Sequence, residues 1–141
     1  TKKYSQVAPE QILRDLIAST PGTEGKWFAA AKDAGLFALA VELANASPTD
    51  PRTLTRAARD FATDQPQFAM NAALSALRWI ARGHGYEITG ADILETTQAL
   101  QQASTHAGMD QQALSALLAP ILAEAPARHL LRQVLSPYAT V

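Results

Sequence analysis

The sequence predicts an all-α protein of about eight short helices packed as antiparallel pairs. Three observations point there. Proline or a capping residue opens most apolar stretches, glycine or a Ser-Pro step closes many of them, and about one residue in five is alanine. Proline in the first turn lacks only an N–H that a helix leaves unpaired anyway, and alanine has the highest helix propensity. No segment alternates as a half-buried strand would. At 141 residues and 48% hydrophobic side chains, the chain is expected to form one domain over 1–141 with a substantial core.

The elements follow from this punctuation. Pro9 opens a first helix whose apolar stripe is Ile12, Leu13, Leu16 and Ile17, ended by Thr20-Pro21-Gly22. A second runs from about Glu24 to Ala34 and stops at Gly35, and Leu36 starts a third that reaches Ala46. Asp50 is placed to cap the fourth, with Pro51 in its first turn. Asp64 or Gln65 with Pro66 repeats the device for the fifth, which reaches about Arg82 before Gly83 and Gly85. Thr89-Gly90-Ala91-Asp92 reads as a variant capping box opening a sixth helix to about Ala107. A seventh spans about Asp110–Ala123, where Pro120 is expected to bend or split it, and an eighth spans about Pro126–Leu135.

Helical periodicity assigns faces. On the fourth helix Leu54, Ala57, Ala58 and Phe61 share one side, and Arg52, Arg56 and Arg59 fall opposite. The fifth is apolar over most of its circumference, leaving a polar sector of Gln67, Asn71, Ser75, Arg78 and Arg82. A helix apolar over so wide an arc needs neighbours on more than one side, so it is placed centrally.

Composition narrows the function classes. A net charge of -1 disfavours a nucleic-acid-binding chain, which is usually clearly basic. The absence of cysteine removes disulfides and cysteine-ligated metal sites, and fits a reducing, cytoplasmic setting. No apolar run approaches the roughly 20 residues of a membrane span, so no membrane partner is expected. The chain starts at Thr1 without an initiator methionine or a signal-peptide core, and is expected to be a processed product or a piece of a larger protein.

The Trp27–Ala44 block resembles a tetratricopeptide-type helix pair. Gly35 sits at the turn, Ala40 follows five residues later where that family takes a small residue, and Ala31 precedes by four. The Leu54–Leu77 block is similar, with Leu54, Ala58 and Phe61 followed by Ala69, Ala73 and Ala76. It departs from the pattern in having no glycine at its turn and a period shorter than the family's. The resemblance covers about 24–85. It implies a right-handed α-α superhelix or a compact helical array, acting as a partner-binding scaffold.

Among candidate sites the arginine stripe is the sharpest. Arg52, Arg56 and Arg59 are expected either to clamp a phosphate or the carboxylates of an acidic peptide, or to form a solvated face. Arg78 and Arg82 join them as candidate partner contacts and cluster with His84, Tyr86 and Glu87 near a glycine-rich helix end. There His84 is a candidate for acid–base work, since histidine is the side-chain type that ordinarily changes charge near neutrality, although helix capping explains the same residues. His106 and His129 are isolated and no metal-ligand pair occurs, so neither metal, cofactor nor catalytic residue is assigned. The expected role is a non-catalytic interaction module with a protein or acidic-peptide partner. The alternatives are an all-α enzyme or small-ligand receptor using 82–87, and a helical nucleic-acid-binding domain.

Overall fold

A computed structural model describes residues 9–85 and 87–124. Among them are seven α-helices and no strand: α1 (Pro9–Ala18), α2 (Phe28–Asp33), α3 (Phe37–Ala46), α4 (Pro51–Phe61), α5 (Pro66–Ala81), α6 (Gly90–His106) and α7 (Gln111–Glu124). The fold class is all-α, as the punctuation predicts. The eighth expected helix, Pro126–Leu135, lies outside the described residues. The chain divides into two compact units, one ending at Thr49 and the other beginning at Asp50.

In the first unit the helix expected from Glu24 starts as a 3-10 turn over Glu24–Trp27 and becomes α-helical only at Phe28. Ala31 and Ala40 are fully buried, and Phe28, Leu39, Leu43 and Ala44 of the same unit are buried as well. On α1 Leu13 is buried, while Leu16 is 47% exposed, so the expected stripe packs over part of its width. Arg14 donates to Glu10 within α1 and to both carboxylate oxygens of Glu42 on α3. Gly25 is buried, and its N–H donates to the Ser47 hydroxyl at 2.7 Å. A β-carbon there would meet the Thr49 hydroxyl and would lie 2.6 Å from the Pro48 carbonyl oxygen.

In the second unit α5 is the hub, packed against α4, α6 and α7. Its apolar arc is buried from Phe68 to Ala81, as its composition requires. Ser75 departs from expectation. It is fully buried, because α5 is wrapped on more than its apolar arc. No described side-chain polar atom is left buried without a hydrogen-bond partner. Leu54, Ala57 and Ala58 carry the matching face of α4, and Phe61 meets Phe68 edge-on at 5.5 Å between ring centres.

Glycines end three of the helices in one way. After α5 the Gly83 N–H donates to the Ile80 carbonyl and the His84 N–H to the Trp79 carbonyl, which satisfies two carbonyls the helix end leaves open. This closure needs a left-handed residue, and Gly83 has φ +88°. Gly35 after α2 and Gly108 after α6 make the same paired bonds. The helix starts are less uniform. Asp50 and Gln65 occupy the residue before α4 and α5 but make no side-chain cap bond. The Asp50 carboxylate instead accepts from the Thr53 hydroxyl at 2.9 Å.

Pro120 does not split α7, which runs through it to Glu124. Proline denies a bond to the carbonyl four residues earlier, that of Ala116. Both residues are exposed, so water can take the place of the missing donor.

Two stability predictions follow from this packing. Leu77→Ala removes a side chain with 0% exposure and should cost roughly 2–5 kcal/mol in denaturant unfolding. A loss below about 0.5 kcal/mol would show that α5 is not the packed centre. Gly25→Ala should cost about 1–3 kcal/mol by overpacking, seen as a lower thermal midpoint, and an unchanged midpoint would contradict the close approach.

Candidate functional site

The second unit carries a surface cleft of about 190 Å³ along the seam of α4 and α6, with Ile80 of α5 in its lining. Its described lining is Pro51, Arg52, Thr55, Arg56 and Arg59 from the α4 side and Ile88, Asp92, Glu95 and Thr96 from the α6 side. All three arginines of the stripe therefore come to one place.

Helical spacing explains how they get there. Arg52, Thr55 and Arg59 are three and then four residues apart, so they rise on one side of α4. Asp92, Glu95 and Thr96 are three and then one apart, and present a matching row on α6. Arg52 pairs with Asp92 at 3.0 Å, and Arg59 pairs with Glu95 at 2.9 Å. Between them the buried hydroxyls of Thr55 and Thr96 lie 2.6 Å apart. Thr96 donates its proton to the Asp92 carbonyl at 2.9 Å, so Thr55 is the donor in the threonine pair. The stripe is thus a zipper onto α6 rather than a face pointing wholly to solvent.

Asp92 serves two elements at once. It completes the predicted capping box, accepting the Thr89 N–H at 2.8 Å while the Thr89 hydroxyl accepts the Asp92 N–H at 3.3 Å. The bond from Arg52 first, and the Thr89 N–H second, hold the Asp92 carboxyl below the ordinary carboxylate range. Arg52 also donates to the Glu87 carbonyl at 3.0 Å, which anchors a residue in the left-handed region at φ +46°. The Arg59–Glu95 pair is half exposed on both sides, so its contribution to stability is small.

Arg56 differs from its neighbours. It is exposed in the cleft, and among the described residues it makes no hydrogen bond or ion pair.

The Arg78–Glu87 region is arranged otherwise. Arg82 stacks over the Trp79 ring at 5.3 Å and pairs with Glu124 of α7 at 3.0 Å. His84 meets the edge of the same ring at 5.3 Å. No hydrogen bond joins His84 to Glu87, the only carboxylate the sequence offers it nearby. Arg78 is half-buried on α5, and Tyr86 lies outside the described residues, as does His129. A second concavity near the α6–α7 turn contains one titratable group, Asp110, among its described lining, and that carboxylate accepts the Ala113 N–H at 2.8 Å. Among the described residues no cluster of three or more His, Asp or Glu side chains is placed to hold a metal ion, and no helix is long and apolar enough to cross a membrane.

Sequence reasoning found the arginines and the Thr89–Asp92 box but missed Glu95 and the threonine pair. The acids Asp92 and Glu95, three residues apart like Arg56 and Arg59, were the available signal. Comparison of the chain with known protein families, curated proteins and solved structures finds no match.

The double duty of Asp92 predicts a pH response. Its native pKa is lowered, so its contribution is complete above the unfolded carboxylate value of about 4 and is lost as pH falls through the lower native value. Asp92→Asn should cost about 1–2 kcal/mol near neutral pH, chiefly through the lost charge on the cap and on Arg52. The gap between variant and parent should close in acid. A gap that persists unchanged below about pH 2 would remove Asp92 as its cause.

Proposed function

We propose that this chain is a non-catalytic helical interaction module, of the tetratricopeptide-like scaffold kind, that binds an acidic protein or peptide through the arginine-lined seam of α4 and α6. The supporting observation is the convergence of Arg52, Arg56 and Arg59 on one cleft, with Arg56 exposed there and without an internal acid. The buried alanines of the two successive helix pairs, Ala31 with Ala40 and Ala58 with Ala69, Ala73 and Ala76, agree with close helix stacking of that kind. Arg78 and Arg82 lie on α5 and its end, and Arg82 is engaged with Glu124, so the reading rests on the α4 arginines.

A fluorescence-anisotropy titration with glutamate-rich peptides tests this reading. Binding should weaken steadily as salt rises from about 0.05 to 0.5 M, because exposed charges are screened over that range. Arg56→Glu should reduce the affinity roughly tenfold or more while the melting temperature stays within a degree or two, since the side chain is exposed. Failure of acidic peptides to bind, or binding indifferent to Arg56→Glu, would overturn the reading.

A further inference from the structure

The proposed interaction reading leaves open what the cleft recognises, and the charges of its lining answer this. We propose that the α4–α6 cleft seats one carboxylate of a partner peptide, with Arg56 as its anchor. The carboxylate is presented by an acidic side chain or by a chain terminus.

Four observations support it. The first is charge. Among the described residues the lining holds three guanidiniums, of Arg52, Arg56 and Arg59, against two carboxylates, of Asp92 and Glu95, leaving one positive charge. Arg52 is held by Asp92, and Arg59 by Glu95 and, at 3.7 Å, by Asp60 outside the lining, so the guanidinium of the lining with no acid in contact is that of Arg56. A monoanion neutralises it. A phosphate dianion brings a second negative charge beside Asp92 and Glu95, where like charges repel.

The second is size. At about 190 Å³ the cleft is smaller than the roughly 300–1,000 Å³ of pockets that enclose cofactors or drug-sized ligands. It suits one side chain or one terminus. The third is polarity of the floor. Thr55 and Thr96 already satisfy each other and the Asp92 carbonyl, so no floor hydroxyl is waiting for a ligand and recognition falls to the guanidinium. The fourth is the apolar wall of Pro51, Ile80 and Ile88, which suits the methylenes or aliphatic neighbour of a carboxylate. The planar fork of arginine matches a carboxylate through two parallel N–H bonds, a geometry lysine does not offer.

The test follows the arginine Nε–Hε signals of the full chain by NMR during three titrations at constant ionic strength. The probes are N-acetylglutamate N-methylamide, which carries a single side-chain carboxylate, N-acetylvaline, which carries a terminal one, and inorganic phosphate. At least one carboxylate probe should move the Arg56 signal saturably, with a roughly millimolar dissociation constant, and phosphate should bind more weakly. The probe that binds more tightly identifies the source of the carboxylate. Arg56→Lys should weaken binding roughly tenfold despite keeping the charge, and Arg56→Gln should abolish it. Both variants should keep the parent's melting temperature.

Phosphate binding as tightly as either carboxylate, or Arg56→Lys retaining full affinity, would overturn the proposal. So would acidic peptides that need Arg56 while both small carboxylates leave its signal unmoved, a result that would leave the interaction module standing. Saturable carboxylate binding with no binding of acidic peptides would support the seat and sink the interaction module.

Discussion

The apolar circumference of α5 is the constraint on which the second unit depends. From Phe68 to Ala81 the helix offers water little that water can hydrogen-bond, and each exposed large side chain would forgo roughly 1.5–3 kcal/mol of burial. No single neighbour can cover such an arc. Helices α4, α6 and α7 therefore all pack on α5. The alanines at 69, 72, 73, 76 and 81 let them come close, while Leu77 and Ile80 fill the space between.

That wrapping brings α4 and α6 side by side, and their shared edge must be made compatible. A row of guanidiniums on α4 would repel itself if it met nothing. Asp92, Glu95 and Thr96 meet it. The pairs differ in what they do. Arg52–Asp92 is tied to the start of α6 through the capping box, so it fixes where that helix begins as well as where α4 lies against it. Arg59–Glu95 is half exposed and chiefly sets charge balance. The buried threonine pair adds a directional contact that tolerates no free hydroxyl. Arg56 is left over from this matching, and a surplus cation in a concavity is the feature from which the binding proposal grows.

The aromatic end of α5 shows the contrasting case. Trp79 is buried and holds Arg82 over its face and His84 at its edge, while Glu124 takes the arginine's charge. Those groups satisfy one another. Proximity of histidine, arginine and carboxylate in sequence suggested chemistry, but their partners in space are a ring and a helix end.

The sequence by itself determined the helices and their stops. Pro51 and Pro66 start α4 and α5, Gly35, Gly83 and Gly108 end α2, α5 and α6, and Thr89 with Asp92 caps α6, because these are local rules of backbone geometry and hydrogen bonding. The apolar arc also announced that α5 would be central. Tertiary structure alone decided which acid meets which arginine. Periodicity places Arg52 and Arg59 on a side of α4, yet it is silent on the neighbour across the seam, more than thirty residues away in sequence. It decided equally that Ser75 is buried and that α7 survives Pro120, since burial and access to water depend on what surrounds a helix rather than on the helix itself.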